Sequence, residues 1–328
     1  MKLTRLRVEL ISFESMGVRS QCTYCDAGDV SVLIDAGASL GWRFGLLPHP
    51  REYEALRESR QRIAKAAEKA DVVTVSHYHF DHYSPPWATM ESTWTWSSKD
   101  VAAKIYGGKL VIVKDVRSHI NYSQRRRGWI FQQVAGKLAR QLVVGDGMTF
   151  SFKNVTLKFS IPVPHGEAET PLGYVLMLTV GKGDEKILHT SDVQGPLVHE
   201  TLKLILGERP TMAIIGGPPT YLGALKASSV VVKKAVKNLA KLANTIPILI
   251  VDHHLLRDEA YLTILSDVKV KAKNSYHEVL NAAEYMGVEV KALESRRKEL
   301  YEKEPPSSEF IKWTRLRGDK RRKTPPPL

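Results

Sequence analysis

The chain has 328 residues, room for one large domain or two modest ones. With 43% apolar and 25% charged residues it can bury a full core, which excludes disorder, collagen and coiled coil; its net charge is +13. Apolar stretches are strand-length, and Glu9 and Glu14 interrupt what would have to be a signal-peptide apolar region, so a soluble, cytoplasmic chain with no membrane partner is expected.

Residues 3–14, 20–24 and 30–34 read as strands, and Asp35-Ala-Gly37 ends the run. Cys22-Thr-Tyr-Cys25 falls in the second strand and reads as core packing, because a redox pair wants its first thiol at a helix N-terminus. A Gly/Pro-rich loop carrying Arg43 and His49 precedes a helix over 51–70, then a buried strand over 71–75. A Trp-rich loop, a strand over 110–113 and a helix near 118–139 follow. Strands are predicted at 142–144, 148–152, 156–159, 174–180 and 186–189. The last third alternates: helix 197–206, strand 211–215, helix 224–242, strand 247–251, and helices 258–265 and 276–285. Strand runs followed by βα alternation predict a layered α/β fold, sheets inside and helices outside. Six Asn and seven Gln beside plentiful Lys, Arg and Glu lean toward a thermophile.

The charge is concentrated. Residues 99–140 carry a net +8 and residues 311–328 a net +6, leaving −1 for everything else. The first segment lies near Trp87, Trp94, Trp96 and Trp129, and basic residues with interleaved aromatics are what a single-stranded nucleic-acid groove uses. The bland alternative is a solvated helix face with the tryptophans packed beneath it. Arg125, Arg126 and Arg127 are consecutive, so they cannot all face one groove of a helix. A charge-balanced helix is expected over 291–310. The basic, Pro-rich tail 311–328 should be poorly ordered unless docked, and either holds nucleic acid or serves as a solubilising end.

The chemistry gathers at the end of the 71–75 strand, in Ser76-His77-Tyr78-His79-Phe80-Asp81-His82. Extended residues two apart share a face, so His77 and His79 can point at one ion while the turn swings Asp81 and His82 toward a second. Further candidates stand after later strands: His165, Asp192, and the pair His253-His254. Ligands of mixed nitrogen and oxygen type without Cys suit zinc and admit iron or manganese.

This ordered series (Asp35, HxHxDH at 77–82, His165, Asp192, His253 or His254) resembles the metallo-β-lactamase superfamily of metal-dependent hydrolases over about residues 3–265. More narrowly, GVRS, IDAG, SHYHFDHYSPP and VDHHLLRD resemble an archaeal family of predicted hydrolases within it. The resemblance implies an αββα four-layer sandwich with two divalent metal ions at one edge of its sheets, in a domain spanning about 1–290 with a basic insertion at 84–145. It implies that His77, His79 and His165 hold the first metal, and Asp81, His82 and one of His253 or His254 the second. Asp192 would bridge them, and Asp35 would fix a ligand imidazole. Asp35, Asp81 and His254 are the residues expected to take part in catalysis.

A water bridging two such ions would lose its proton near neutral pH and attack a carbonyl or phosphoryl centre. His119, His189 and the unliganded member of the 253/254 pair are the imidazoles available as proton donors, although His189 lies inside a strand and reads as structural. After another strand, Gly216-Gly217-Pro218-Pro219 suggests a rigid wall of the cleft with Tyr221 as a substrate contact, and Arg43 and His49 as rim residues. The position of the charge favours a phosphodiesterase or nuclease. Only 61 positions separate Asp192 from His253, too few for the inserted domain of the superfamily's β-CASP nucleases, and this favours a small-molecule ester, lactone or thioester hydrolase. A nucleic-acid-binding module with structural metals is the non-enzymatic alternative.

Overall fold

The computed structural model describes residues 3–88, 94–221, 229–272 and 276–328. In chain order the first half comprises β1 (Arg7–Phe13), β2 (Gln21–Asp26), β3 (Ser31–Ile34), α1 (Pro50–Lys69), β4 (Val72–Val75), α2 (Lys99–Tyr106), β5 (Leu110–Val113), α3 (Tyr122–Ala135) and β6 (Gln141–Val144). These six strands form one sheet in sequence order, antiparallel from β1 to β3 and parallel from β3 to β6.

The second half holds β7 (Thr149–Phe152), β8 (Val155–Phe159), the small hairpin β9 (Val163–Pro164) and β10 (Tyr174–Val175), β11 (Leu178–Lys182), β12 (Glu185–His189), α4 (His199–Glu208) and β13 (Met212–Gly216). Then come α5 (Val230–Thr245), β14 (Ile248–Asp252), α6 (Tyr261–Lys271), β15 (Glu278–Leu280) and α7 (Ala282–Met286). Seven strands make the second sheet in the order β15-β14-β13-β12-β11-β8-β7, parallel from β15 to β12 and antiparallel beyond.

Side-chain alternation explains why central strands read as unbroken apolar runs. Leu110 and Ile112 of β5 meet Met212 and Ile214 of β13 and Ile248 and Ile250 of β14 between the sheets. Val111 and Val113 face α1–α3 on one outside, and Ala213, Ile215, Leu249 and Val251 face α4–α6 on the other. The result is the αββα sandwich. Cys22 and Cys25, three apart on β2, point to opposite faces into different core layers; both are buried thiols, and burial pushes Cys25 up to about 12.

Several expectations need correction. The span 276–285 is not one helix: Glu278–Leu280 joins the second sheet as its edge strand, and Asn281 caps only the short α7. The expected strand 174–180 is two, because Val175 completes the hairpin while Leu178 starts the pairing with β8 and β12. Helix 258–265 starts later and runs longer, as Tyr261–Lys271. Of the expected helix 224–242, residues 224–228 lie outside the described residues, as do 89–93 of the Trp-rich loop. Among the described residues no helix is long and apolar enough to cross a membrane.

The C-terminal segment is docked. It contributes α8 (Arg297–Lys303), α9 (Ser308–Thr314) and α10 (Gly318–Lys323). Phe310 and Trp313 pack edge-on against Tyr53 of α1, and Arg321 stacks 3.4 Å from the Trp313 ring centroid. Arg19 and Glu294 form a two-pronged pair at 2.6 and 2.7 Å. Fully buried Arg297 grips both oxygens of Glu52 at 2.7 Å and donates to the carbonyls of Gly41 (2.8 Å) and Leu46 (3.1 Å), so it holds the loop that follows Asp35. His49, expected at the cleft rim, instead caps α1 and contacts the Glu304 carbonyl at 2.7 Å. Removing the guanidinium would leave Glu52 buried and unneutralised. Arg297→Ala should therefore lower unfolding stability by about 3–5 kcal/mol, measurable by chemical denaturation.

Candidate metal centre

Successive strands deliver their ends to one edge of the sandwich. Asp35 follows β3, the 77–82 cluster follows β4, Asp192 follows β12, and His253 follows β14. Asp35, Ser191 and His253 adopt positive φ (50, 53 and 56°), a conformation that costs a non-glycine residue about 1 kcal/mol or more and turns the chain sharply where a side chain must face inward.

The point of convergence is Asp192, 1% exposed. Its Oδ2 lies 2.9 Å from His165 Nε2, 3.3 Å from His254 Nε2 and 3.4 Å from His77 Nε2. Its Oδ1 lies 3.0 Å from His253 Nε2 and 3.1 Å from His82 Nε2. His79 Nδ1 is 3.0 Å from His77 Nε2, and Asp81 Oδ2 is 3.5 Å from His253 Nε2. All eight side chains expected at the centre are thus brought together: His77, His79, His165 and Asp192 share one cluster, Asp81, His82 and His253 another, and Asp192, His253 and His254 a third.

The donor set fits divalent metal ions. His165 Nε2, His254 Nε2 and Asp192 Oδ1 are buried and in contact distance of one another's groups, yet have no aligned hydrogen bond. Buried polar atoms are rarely left so, and lone pairs converging on a common point are what a cation satisfies.

The outer side of each imidazole is held. Asp35 Oδ2 contacts His82 Nδ1 at 2.7 Å, and Asp35 also accepts from the Ser76 amide (2.8 Å) and hydroxyl (2.6 Å). Ser76 and Ser191 hydroxyls reach His77 Nδ1 at 3.0 and 3.3 Å, and the Gln194 amide reaches His165 Nδ1 at 3.2 Å. Glu14 Oε2 holds His253 Nδ1 at 2.7 Å, and Tyr221 OH holds His254 Nδ1 at 2.8 Å. Such contacts orient ligands and set their basicity. Arg257 donates to Glu14, to Asp81 Oδ2 (3.2 Å) and to Tyr221 OH (3.1 Å).

Glu14, Arg257, Gln194 and Gln124 were missed by sequence reasoning. Arg257 stands four residues after His253, a helical spacing that signals a shared face; Glu14 and the glutamines have no local signal. Tyr221 and Arg43 come together beside the centre: Tyr221 is on His254, and the Arg43 guanidinium lies 4.7 Å from the Tyr221 ring centroid. His189 bonds the Gln21 carbonyl at 2.9 Å and accepts from Ser191 N, and His119 packs on Tyr174; neither belongs to the clusters found among the described residues.

Burial would drive every charge here toward neutrality, and the pairing decides the outcome. Burial and the neighbouring His82 push His77 down to about 4. Against burial, Asp192 and Asp35 hold His82 well above the usual histidine range, and Glu14 and Asp192 raise His253 to about 9. Asp192 is correspondingly held well below the carboxylate range, against burial, by His82 and His253.

No protein-family model matches the chain. It is 40% identical over 301 residues to the UPF0282 protein of Thermococcus gammatolerans, covering 91% of this chain and 96% of that one. It is 42% identical over 296 residues to the UPF0282 protein of Methanopyrus kandleri, covering 90% and 99%. Among solved structures it is similar to a possible metal-dependent hydrolase from Veillonella parvula, with a TM-score of 0.50, 14% identity, and 84% and 95% of the two chains covered. The metallo-β-lactamase-fold protein YhfI from Bacillus subtilis gives a TM-score of 0.47 at 14% identity over 85% and 96% of the chains. At such identities the likeness concerns the fold. The αββα architecture is thus shared with the Veillonella parvula structure, and in this chain His/Asp clusters stand at its edge. The chain itself belongs to the archaeal UPF0282 family.

The raised His253 yields a prediction with a definite sign. A raised folded-state value contributes stability fully below the unfolded value near 6.5, and that stability is lost as pH rises through about 9. Protein stripped with a chelator should lose melting temperature between these values. Metal-loaded protein, in which a cation would take the proton's place, should hold it, as parallel thermal scans would reveal.

Proposed function

We propose that the protein is a hydrolase working with two divalent metal ions, zinc before iron or manganese, on phosphodiesters. The observation that carries the metal reading is the set of buried, unaligned donor atoms around Asp192. His77, His79 and His165 would hold one ion, Asp81, His82 and His253 the other, with one Asp192 oxygen toward each. His253 is preferred over His254 because its Nε2 shares a cluster with Asp81 and His82. When bound, such ions polarise a phosphoryl or carbonyl oxygen and bring the ionisation of water near neutral pH.

The protein's own side chains supply the rest. Asp35 and Glu14 fix the rings of His82 and His253 so that each presents Nε2 to the centre. His254, its Nδ1 on the Tyr221 hydroxyl and its Nε2 turned inward, relays a proton between the reacting atoms and Tyr221. Burial, followed by the charge of Arg257, keeps this imidazole well below the usual range, hence neutral and able to accept at one nitrogen while it donates at the other.

An anionic substrate is favoured by Arg127. Its guanidinium lies 5.2 Å from the Phe80 ring centroid, beside the first cluster, and its positive charge adds to burial in lowering the pKa of His79. A phosphodiester brings the negative charge that Arg127 would meet.

Metal analysis and a substrate panel test this reading together. The purified protein should carry transition metal and turn over bis(4-nitrophenyl) phosphate faster than lactones or thioesters; faster lactone turnover would mark it as a small-molecule hydrolase instead. His79→Ala and Asp192→Asn should lose both metal and activity. His254→Gln should keep its metal and lose about 100-fold in kcat. Metal loss in His254→Gln would make His254 a ligand rather than a relay.

A further inference from the structure

The docked C-terminal segment closes one surface and leaves another open. Phe310 and Trp313 cover the side of α1 that carries Tyr53 and Leu56, while Trp42 and Trp94 stay outside that buried cluster. The Trp42 and Trp94 rings meet at 5.5 Å, tilted by 44°, and Trp42 is 52% exposed. With Arg317 and Arg322 of the tail they line a cavity of about 270 Å³. Three separate stretches of chain build it: the loop after Asp35 supplies Trp42, the segment before α2 supplies Trp94, and the tail supplies the arginines.

The walls are held in place. Arg321 stacks on Trp313 and donates to the carbonyls of Trp313 (2.8 Å) and Trp94 (3.1 Å). The Ser97 amide donates to the Arg322 carbonyl at 2.8 Å, which ties the tail to the segment carrying Trp94. The other two arginines keep donors in reserve. A guanidinium has five N–H groups, and Arg317 directs one nitrogen at the Thr314 and Leu316 carbonyls, at 3.4 and 3.3 Å. Arg322 pairs with Asp319 through Nη1 at 3.1 Å, and its Nε is buried with no hydrogen-bond partner among the described residues. Buried donors are rarely left so, and an acceptor oxygen brought by a ligand would satisfy it. One residue on from Trp42, Arg43 lies against Tyr221, which holds His254, so the loop that lines the cavity also reaches the metal centre.

We infer that this cavity binds a nucleoside monophosphate, its base stacked on Trp42 and its phosphate held by Arg317 and Arg322. An exposed indole face accepts any nucleobase, and a guanidinium matches a phosphate with parallel donors. The volume is near the lower end of small-molecule sites, about 300 Å³, so it admits one nucleotide rather than a run of stacked bases. The same chemistry comes from a free nucleotide or from the end of a strand. An anionic membrane would ask for apolar side chains that protrude into it, whereas these two indoles line a concavity. The site goes beyond the proposed reaction and does not rest on it, since none of the eight residues of the metal centre lines the cavity.

The test is isothermal titration calorimetry of the full-length, metal-loaded protein with AMP and UMP. Adenosine, inorganic phosphate and phosphatidylserine vesicles are the comparison ligands. Both nucleotides should bind, and adenosine and phosphate should bind at least about tenfold more weakly, since each supplies half of the contacts. Trp42→Ala and R317Q/R322Q change side chains that are exposed or half-buried, so both should keep the wild-type melting temperature. Each should weaken AMP binding about tenfold or more, and R317Q/R322Q should also flatten its salt dependence. K233Q/K234Q, an equal charge change on α5, should leave affinity alone. A strand of about 15 nucleotides with a 5′-phosphate that binds tighter than AMP and than its 5′-hydroxyl form would make a strand end the source. No such gain would make it the free nucleotide. Wild-type AMP affinity in both cavity variants, phosphate binding as tight as AMP, an equal loss in the α5 variant, or binding to vesicles without nucleotide binding would each overturn the inference. Binding is read without turnover. A protein that binds AMP through this cavity but hydrolyses no phosphodiester would refute the proposed reaction and leave the site standing. Hydrolysis of bis(4-nitrophenyl) phosphate without nucleotide binding would do the reverse.

Discussion

Five imidazoles face one carboxylate. Asp192 has His165, His254 and His77 around one oxygen and His253 and His82 around the other, all within 3.4 Å. Those histidines come from three separate stretches of chain, so the position of Asp192 depends on both sheets at once. The arrangement is tolerable only because each ring is gripped from behind by a carboxylate, hydroxyl or amide, which fixes its orientation in a low-dielectric interior where a loose dipole would be costly. Asp35, Ser191 and His253, three of the residues in left-handed backbone, stand at the bends that bring these groups in.

The same logic of gripping from behind extends outward through charged groups. Glu14 holds His253 and Arg257; Arg257 reaches Asp81 and Tyr221; Tyr221 holds His254 and lies under Arg43. Farther out, Arg19–Glu294 ties the C-terminal segment to the connection between β1 and β2, and Arg297 ties it to α1 through Glu52 and to the loop after Asp35 through the Gly41 and Leu46 carbonyls. A buried ion pair is weak evidence for added stability relative to apolar packing, but it is specific about partners and direction. Here the direction matters: the C-terminal helices are fastened to the loop beside the centre, and the tail's basic residues lie where Trp313 and Tyr53 seat them.

Much of the site was legible before folding was considered. HxHxDH placed four ligand-type side chains within six residues at a strand end, and His165, Asp192 and the 253/254 pair each followed a strand whose apolar run was plain. The choice between His253 and His254 was not legible, because adjacent residues differ only in which way a turn throws them. Nor were Glu14, Gln124 and Gln194, single polar residues whose partners lie tens to hundreds of positions away. His49 shows the opposite failure: a histidine in the right loop that caps a helix, since Glu52 three residues on completes a reciprocal cap. At 276–285 alternation over three residues was too short to separate a strand from the helix that follows it.

The sequence by itself determined the layers, through apolar runs that only a sheet covered on both faces can bury, and the chemistry of the centre, through residue types that serve little purpose unless they meet. It also determined that the positive charge is concentrated in two segments, because charge is a sum over residues and needs no coordinates. Only the tertiary structure decided which atoms face each other. It set both oxygens of Asp192 among five rings, turned Arg127 toward Phe80 while Arg125 and Arg126 are exposed, left Trp129 exposed, and docked the C-terminal tail. Those outcomes depend on contacts between distant segments, whose free energy no local pattern contains.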